Sequence, residues 1–323
     1  MNVVFWGKEF LRLKESLENT LKGHEVIIAD PADGAGALAS AEILVVRPVA
    51  VDEKLLSGAP SLRLVQQWGA GAEGIDLHAC SGRGVYACNV PSIGTGNAEG
   101  VAEIAFLHML LLAKRFFRAQ EKLREGKVYT PPGVALWGKK ACIIGLGNVG
   151  RSIAARMKAF GMNVVGINRT SPSECSLWGI DSYVPLDRIE EGVKGARFIV
   201  VSLALGPGTE GIIGERVFRA MERDAFFINV ARGPVVDRQA LEKALDDGLI
   251  AGAGLDVLWE EPHSPDDPLL NNPKVVVTPH IGGVNDASFA GVLGFIAGNV
   301  DLVAGGKPPL SCLNEKEMER GHP

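Results

Sequence analysis

The stretch ACIIGLGNVG, residues 141–150, decides the fold of this chain. Its apolar run ACII predicts a buried strand, and Gly145, Gly147 and Gly150 follow at the spacing G-x-G-x-x-G. The next residues, RSIAARMKAFG, have the pattern of an amphipathic helix, and NVVGIN has that of a second strand. A strand, a glycine turn, a helix and a strand in this order are typical of a dinucleotide-binding unit. A βαβ turn with a purely structural role is the alternative.

Each glycine of this turn has a separate physical reason. Gly145 allows a tight turn, Gly147 removes a Cβ so that the backbone can approach a pyrophosphate, and Gly150 lets the helix pack close to the strand. The N-terminus of the helix then presents N–H groups and a partial positive charge to the phosphates. Asn148 and Val149 lie inside the turn and are expected to contact the cofactor with the glycines.

Length and composition limit the classes of protein and partner. The 323 residues are enough for two domains, and 46 % hydrophobic residues allow large cores. A net charge of −5 without a dense Lys/Arg stripe argues against nucleic acid as a partner. Five scattered cysteines without a CxxC pair indicate a reducing compartment and no metal site. No secretory signal is found, and the most apolar window, residues 102–113, is too short for a bilayer, so a cytoplasmic location without membrane partners is expected.

Apolar runs alternate with helical segments along most of the chain. The pattern predicts an α/β fold with two Rossmann-like, doubly wound parallel-sheet domains and a cleft between them. A long helical stretch from about Ala98 to Gly126 separates the two series, and a further one follows the last strand. The predicted strands are residues 3–7, 24–29, 42–46, 62–67 and 85–90 in the first series, and ACIIG, NVVGIN, ARFIVVSLA, AFFINV, GAGLDV and VVVTPH in the second.

Three polar residues stand where predicted strands end. Arg232 follows INVA, Glu261 follows LDVLWE, and His280 follows VVVTP. Ligands of open α/β sheets bind beyond the carboxyl ends of the strands, so the three are expected in one cofactor cleft. Reduction of a 2-keto acid needs such a set: a His to donate a proton, a carboxylate to hold the imidazole, and a guanidinium to bind the substrate carboxylate. Taken singly, they also fit a surface salt bridge, a solvated loop pair with Glu260, and a capping or core histidine.

These motifs together resemble the D-isomer-specific 2-hydroxyacid dehydrogenases over nearly the whole chain. The resemblance implies a discontinuous, flavodoxin-like substrate-binding domain, residues 1–97 with 287–323, and an inserted dinucleotide-binding Rossmann domain, residues 98–286. It also implies a homodimer formed through the nucleotide domain. The segments that carry it are LRLVQQWGAGAEGIDLHACSGRGVYACNVP, NAEGVAEIAF, GKKACIIGLGNVGRSIAARMKAFGMNVVGINR, FFINVARGPVVDRQALEKAL, AGAGLDVLWEEP and VVVTPHIGG.

The resemblance assigns roles residue by residue. It implies that Arg232 binds substrate, that Glu261 pairs with His280, that His280 is the general acid/base, and that Asp256 bonds the nicotinamide carboxamide. Further cofactor-lining positions are expected at Leu203, Val230, Ala231 and Gly282.

In the substrate-binding domain, the backbone N–H groups of Trp68, Gly69 and Ala70 match a turn that holds the substrate carboxylate. A plain β–α turn is the alternative. Arg47 matches a substrate-proximal position, with a surface ion pair as its alternative. Asn97 matches the crossing between domains, with a helix N-cap as its alternative. Trp259 is interpreted as a core residue, with a pocket wall as the second interpretation.

The end of the second strand of the glycine-turn unit bears on the choice of cofactor. NAD-specific chains place an acidic residue there, but this chain has Asn168 followed by Arg169 and Thr170. Asn168 carries no charge to repel a 2′-phosphate, and Arg169 and Thr170 can bind one. NADP(H) is therefore favoured, with NAD(H) or both as the alternative.

The substrate expected from the resemblance is a small 2-keto acid similar to glyoxylate or hydroxypyruvate. A short D-3-phosphoglycerate dehydrogenase that uses NAD is the alternative, because the family includes short members without the regulatory domains that follow the last helix in the long ones. A corepressor-like NAD(P)H-sensing protein is the alternative from another class, and it would carry the same three residues. Formate dehydrogenases have Gln in place of the Glu that pairs with histidine, so Glu261 counts against that activity.

Overall fold

The computed structural model of the protein describes residues 1–72 and 74–320, with the backbone alone at 319 and 320. The chain divides into two compact units, Met1–Gly96 with Asp286–Pro323 and Asn97–Asn285. The second unit is thus inserted in the sequence of the first. The domain boundaries expected from the sequence each lie one residue further along the chain. Residues 321–323 of the predicted substrate-binding domain lie outside the described residues.

The first part of the first unit alternates strands and helices. A short 3₁₀ segment, Lys8–Leu13, precedes the first helix. In chain order the elements are β1 (Asn2–Trp6), α1 (Lys14–Thr20), β2 (Glu25–Ala29), α2 (Ala35–Ser40), β3 (Ile43–Val46), α3 (Glu53–Ser57), β4 (Leu64–Gln67), α4 (Leu77–Gly82) and β5 (Tyr86–Cys88).

The second unit continues the same alternation. Its elements are α5 (Asn97–Ala113), α6 (Phe116–Arg124), β6 (Lys140–Ile144), α7 (Asn148–Ala159), β7 (Asn163–Asn168), β8 (Ser182–Pro185), α8 (Ile189–Val193), β9 (Phe198–Val201), α9 (Glu215–Ala220), β10 (Phe226–Asn229), α10 (Arg238–Asp246), β11 (Gly252–Leu255) and β12 (Val275–Val277).

The chain then returns to the first unit with α11 (Asp286–Ala304) and α12 (Glu315–Arg320). By length and composition alone, α11 is apolar enough to cross a membrane, which is weak evidence because core helices pass the same test. Its Val292, Ile296 and Val300 are buried and cluster with Val3 and Phe5 of β1. This apolar face of α11 therefore packs on the sheet of its own unit.

Both sheets are parallel and buried on both faces. The first unit has the strand order β2-β1-β3-β4-β5, and the second has β12-β11-β10-β9-β6-β7-β8. Alternate residues of β6 enter different cores, with Cys142 and Ile144 on one side and Ala141 and Ile143 on the other. This double burial explains why the strands are continuous apolar runs in the sequence. The predicted α/β, doubly wound fold class is confirmed.

Two elements differ from the sequence prediction. The helical stretch expected from Ala98 to Gly126 is two helices, because Arg115 adopts a left-handed conformation (φ 50°) between α5 and α6. Strand β8 was not predicted, because it is an edge strand with no buried residue in Ser182–Pro185. A half-exposed edge strand that ends in proline does not produce the apolar run that marks the central strands.

Candidate active site

The glycine turn joins β6 to α7 beside the point where the strand order reverses, between β6 and β9. Gly145 has φ +100°, and a Cβ there would lie 2.8 Å from the Leu203 nitrogen. A Cβ at Gly150 would lie 2.0 Å from the Gly145 carbonyl oxygen, so both positions require glycine for the packing of the chain itself. The Ser202 hydroxyl donates to that carbonyl at 2.8 Å. Leu203 therefore lies at the turn, and its contact with the cofactor stays a prediction.

Gly147 differs from its two neighbours. It is the N-cap of α7 with a β-region backbone and no side-chain cap, and a Cβ there would meet no atom within 4 Å. Nothing in the chain itself therefore requires glycine at this position. Open space before the N-terminus of a twelve-residue helix fits a pyrophosphate, which is the role predicted from the motif.

The cofactor-discriminating residues follow β7. The Asn168 amide donates to the Thr170 carbonyl oxygen at 3.2 Å, and its oxygen accepts a long hydrogen bond from the Leu146 N–H at 3.4 Å. Asn168 thus links the end of β7 to the glycine turn. Arg169 and Thr170 are exposed.

Three neighbouring strands present the predicted catalytic residues. In the sheet order β12-β11-β10, His280 follows β12, Glu261 follows β11, and Arg232 follows β10. The Glu261 carboxylate accepts from the His280 Nδ1 at 2.6 Å and from the Leu258 N–H at 3.2 Å. His280 has a left-handed backbone (φ 53°), and its side chain and that of Glu261 are about 40 % exposed. The structure therefore brings the histidine and the carboxylate together at one sheet edge.

The ionisation of Glu261 reflects these contacts. Its partial burial alone would raise the pKa of the carboxyl group. The hydrogen bonds from His280 and Leu258, together with the positive charges of His280 and Arg232, outweigh burial, so the pKa lies below its ordinary value. Glu261 is therefore a carboxylate throughout the neutral pH range, as an imidazole partner must be.

The loop that carries Arg232 is fixed from two sides. The Asn229 amide donates to the Arg232 carbonyl oxygen at 3.0 Å, and its oxygen accepts from the Ala231 N–H at 3.0 Å. A Cβ at Gly233 would lie 2.1 Å from the Leu258 carbonyl oxygen, so the loops after β10 and β11 touch. The Arg232 Nη1 donates to the Ala231 carbonyl oxygen at 2.8 Å. The guanidinium charge also lies close enough to Glu261 to help lower the pKa of its carboxyl group.

Asp256 lies at the end of β11 and is almost fully buried. Its Oδ1 accepts from the Thr278 hydroxyl at 2.6 Å and from the Ile281 N–H at 3.0 Å, and its Oδ2 accepts from the Gly282 N–H at 2.9 Å. The His280 N–H donates to the Asp256 carbonyl oxygen at 2.8 Å. Asp256 thus clamps the segment that carries His280 to β11.

Comparison with known proteins identifies the family. Residues 106–282 match the family described as D-isomer specific 2-hydroxyacid dehydrogenase, NAD binding domain. The chain belongs to the D-isomer-specific 2-hydroxyacid dehydrogenases. It is similar to a glyoxylate reductase of Korarchaeum cryptofilum, with 35 % identity over 277 residues that cover 83 % of this chain and 81 % of that protein.

Two further relatives widen the picture. A D-3-phosphoglycerate dehydrogenase of Archaeoglobus fulgidus is 34 % identical over 291 residues, 86 % of this chain but 52 % of that protein. The crystal structure of an NADPH-dependent glyoxylate/hydroxypyruvate reductase of Sinorhizobium meliloti with citrate has a TM-score of 0.83 at 27 % identity, covering 97 % of each chain. The dehydrogenase is therefore an NAD(P)-dependent oxidoreductase that acts on 2-hydroxy acids, which confirms the enzyme class predicted from the sequence.

The residues present fit a nicotinamide cofactor. The glycine turn and the N-terminus of α7 would hold its phosphates, and Val230, Ala231 and Leu203 are apolar, buried side chains after neighbouring strands. Asn148 and Val149 form the first turn of α7. A carboxylate accepts about four hydrogen bonds, and three donors reach Asp256, so its Oδ2 has room for one more. No group of three or more potential metal ligands occurs in the described part of the chain.

In the first unit, two N–H groups of the predicted carboxylate-binding turn have acceptors within the chain. The Trp68 N–H donates to the Val46 carbonyl oxygen at 2.7 Å, and the Gly69 N–H donates to the Gln67 carbonyl oxygen at 3.1 Å. The first bond continues the pairing of β4 with β3, and the second is local to the turn. No acceptor of the Ala70 N–H is found within residues 1–72 and 74–320, and substrate binding by Trp68, Gly69 and Ala70 stays a prediction.

The Arg47 side chain packs on Phe10, with its guanidinium carbon 5.3 Å from the ring centroid. Trp68 contacts the same ring at 5.4 Å between centroids. Burial lowers the pKa of Arg47, and its Nε is buried with no hydrogen-bond partner among the described residues. No salt bridge of Arg47 occurs among those residues either, so the alternative of a surface ion pair is not found, and the substrate-proximal role stays a prediction.

Trp259 takes the core position that was its first interpretation. Its ring is partly buried against the core of the second unit, its Nε1 donates to the Val236 carbonyl oxygen at 2.6 Å, and the Arg238 guanidinium lies 5.5 Å from its ring centroid.

Sequence reasoning did not identify two side chains behind Asp256, those of His108 and Thr278. The fully buried His108 of α5 has its Nε2 3.0 Å from the Thr278 hydroxyl oxygen. Burial lowers the pKa of His108 to about 4, against a smaller opposing effect of the Asp256 charge. The signal in the sequence is a histidine inside the apolar window of residues 102–113.

The contrast between Gly147 and Gly150 gives a prediction. We expect Gly147→Ala to lower stability by less than about 1 kcal/mol but to weaken NADPH binding by about tenfold, because its Cβ projects only into the space before α7. Gly150→Ala should lower stability by about 1–3 kcal/mol, because its Cβ collides with the Gly145 carbonyl.

The measurements are thermal unfolding without cofactor and titration of NADPH fluorescence. Unchanged NADPH affinity in Gly147→Ala would contradict a phosphate position at this glycine, whatever the result for Gly150→Ala.

Proposed function

We propose that this dehydrogenase reduces a small 2-keto acid of the glyoxylate or hydroxypyruvate type to the D-2-hydroxy acid. The observation that carries the proposal is the 2.6 Å hydrogen bond between the His280 Nδ1 and Glu261, beside the charge of Arg232. An imidazole held by a carboxylate at the carboxyl ends of parallel strands is suited to moving a proton to and from a substrate oxygen.

His280 is the proposed general acid. With its Nδ1 hydrogen donated to Glu261, the Nε2 atom is left to give a proton to the carbonyl oxygen of the keto acid. Glu261 fixes the ring and stabilises the imidazolium form. A reduced nicotinamide, when bound, supplies the hydride to the carbonyl carbon. In the reverse direction, neutral His280 takes the proton from the hydroxyl group.

Arg232 is the proposed substrate-binding cation. A guanidinium presents paired N–H donors in a plane, which matches a carboxylate, and its charge also polarises the adjacent carbonyl. The Asn229 amide holds the backbone of this residue, so Arg232 stays at the same sheet edge as His280. Arg47 and Ala70 are the proposed substrate contacts of the first unit.

NADPH is the proposed cofactor. Asn168 carries no charge that would repel a 2′-phosphate, and the exposed Arg169 follows it. The similar Sinorhizobium meliloti reductase is NADPH-dependent by description. Asn168 donates to the Thr170 carbonyl oxygen and accepts from the Leu146 N–H, and an amide can do both. A cytoplasmic location goes with this proposal, and the five cysteines are free thiols.

The relatives support the proposed substrate class. A glyoxylate reductase covers most of the chain, and a D-3-phosphoglycerate dehydrogenase is matched over about half its own length. A steady-state panel of glyoxylate, hydroxypyruvate, pyruvate and phosphohydroxypyruvate with NADPH and NADH tests the proposal. Preference for phosphohydroxypyruvate with NADH would favour the phosphoglycerate alternative, and no turnover with any pair would favour an NAD(P)H-sensing protein.

Two adjacent glutamates allow a matched test of the proton-transfer step. We expect Glu261→Gln to lower kcat for reduction by about 10²-fold, because the amide does not stabilise the imidazolium. The alkaline limit of the reduction rate should also move to lower pH, whereas Glu260→Gln, at an exposed position, should change neither.

The measurement is the pH profile of kcat and kcat/KM for the three proteins. Equal losses in both variants, or an unshifted profile in Glu261→Gln, would contradict the role given to Glu261.

The cofactor preference has its own prediction. We expect Asn168→Asp to shift the ratio of kcat/KM for NADPH and NADH toward NADH by about tenfold or more, because a carboxylate accepts from the ribose hydroxyl and repels a 2′-phosphate. Arg169→Ala should raise KM for NADPH and leave KM for NADH unchanged. An unchanged ratio in Asn168→Asp rejects the role of this position.

A homodimer through the second unit is part of the proposal. Large apolar side chains are exposed along residues 107–160 of this unit, and α6 has no buried residue. A concentration of exposed apolar side chains on one segment is typical of an interface with a second copy. The exposed apolar side chains of residues 107–160 are Leu107, Phe116, Phe117, Leu123, Val128, Tyr129, Trp137 and Phe160.

We expect the protein to have twice its chain mass of 34.2 kDa in solution, and Phe117→Glu to dissociate it. The charge would be desolvated in an apolar interface. Leu177→Glu, at an exposed apolar side chain outside residues 107–160, is the control. Light scattering after gel filtration measures the mass, and a monomeric parent protein would refute the dimer.

A further inference from the structure

We propose that His108 is a positioning residue for this reaction: through the Thr278 hydroxyl it holds the Asp256 carboxylate, and with it the 278–282 segment that carries His280. The proposal rests on the proposed function of His280 and Asp256. His108 lies in the middle of α5, far along the chain from all of them, and sequence reasoning gave it no role.

The direction of each hydrogen bond can be assigned. The Asp256 carboxylate only accepts, so the Thr278 hydroxyl, 2.6 Å from Oδ1, must donate its single hydrogen to it. Toward His108 the same hydroxyl can then only accept. The His108 Nε2 at 3.0 Å therefore carries the hydrogen, and the ring is the Nε2–H tautomer. The result is a one-way chain of donors that runs from His108 to Thr278 to Asp256.

The surroundings of His108 favour a specific role over simple packing. The ring is fully buried, and its Nδ1 has no hydrogen-bond partner among the described residues. An apolar side chain would fill this place in α5 without a buried polar atom, so the histidine costs stability that its one hydrogen bond must offset. A Cβ at Gly254 of β11 would lie 2.6 Å from the His108 Cβ, so the facing strand leaves room for this side chain.

The series of hydrogen bonds from His108 ends at Asp256, the residue that organises the site. The Oδ1 atom of Asp256 accepts from the Thr278 hydroxyl and the Ile281 N–H, and Oδ2 accepts from the Gly282 N–H. The Asp256 carbonyl oxygen accepts from the His280 N–H. A Cβ at Gly282 would lie 2.9 Å from Oδ2, so a side chain at this position would crowd that oxygen. Rotation of the carboxylate would disturb both the backbone at Ile281 and Gly282, directly after His280, and the remaining acceptor site on Oδ2. The hydrogen bond from His108 keeps the Thr278 hydroxyl directed at Oδ1 and thereby limits that rotation.

The kinetic test uses four variants. His108→Met keeps an apolar filling but removes the donor, and His108→Gln keeps an N–H donor at a similar reach. Thr278→Val removes the intermediary, and the double variant His108→Met/Thr278→Val combines the two. We expect His108→Met to raise the NADPH Kd and lower kcat by about fivefold or more, and His108→Gln to stay within about threefold of the parent protein.

Coupling distinguishes positioning from packing. If His108 acts through Thr278, the double variant has the same kcat and NADPH Kd as Thr278→Val alone. Additive losses in the double variant would overturn the proposal, and so would parent-like kcat and NADPH Kd in His108→Met. Equal impairment of His108→Gln and His108→Met, with Thr278→Val unimpaired, would overturn it as well. Thermal unfolding of each variant checks that the fold is kept.

A readout without cofactor or substrate tests the hydrogen-bond assignment itself. In protein labelled with ¹⁵N-histidine, the His108 ring, identified by its absence in His108→Gln, should show a protonated Nε2 and an unprotonated Nδ1 at pH 7. The Nε2 signal should move in Thr278→Val. A protonated Nδ1, or an Nε2 signal unaffected by Thr278→Val, would overturn the proposal. Because this measurement needs no turnover, failure of the proposed keto-acid reduction would be seen separately, in the substrate panel.

Discussion

Parallel pairing of β10, β11 and β12 fixes where the proposed catalytic residues of this dehydrogenase lie. Parallel strands send all their carboxyl ends to the same sheet edge, so residues far apart in sequence arrive there together. Arg232, Glu261 and His280 follow three neighbouring strands of this kind. Because the pairing registers are held by buried apolar runs, the loops that carry the polar groups start from fixed points. The site is thus a consequence of strand order more than of any single loop.

The loops themselves are held by buried polar side chains at the ends of the same strands. Asn229 ends β10 and binds the backbone at Ala231 and Arg232, while Asp256 follows β11 and binds the backbone at 281 and 282. Both are almost completely buried, and each would be costly without its partners. Satisfying them therefore requires the neighbouring loop to adopt one conformation. The hydrogen bonds that offset the burial of Asn229 and Asp256 also set the positions of the guanidinium and the imidazole.

The sequence was most informative where one residue type had one physical explanation. The G-x-G-x-x-G spacing and the strand-terminal positions of Arg232, Glu261 and His280 indicated the nucleotide unit and its polar edge, because glycine turns and apolar runs are local signals. The use of the Trp68 N–H by Val46 could not be predicted, since it depends on how far β3 and β4 continue to pair. The break between α5 and α6 lies at Arg115, where no Gly or Pro indicates a left-handed conformation in the sequence. His108 lies inside an apolar window of the sequence, and its contact with Thr278, 170 residues away, could not be predicted from that window.

The three glycines of the turn fall into two groups, according to whether the packing of the chain explains them. Gly145 and Gly150 are required by the chain, because added Cβ atoms would meet backbone at 2.8 and 2.0 Å. A Cβ at Gly147 would meet nothing within 4 Å, so the packing of the chain does not explain a glycine there. Packing therefore accounts for two of the three glycines, and the third fits the predicted phosphate position before the N-terminus of α7. A motif in which one position has no structural reason is stronger evidence for a ligand than the spacing itself, because a purely structural βαβ turn would leave that position unconstrained.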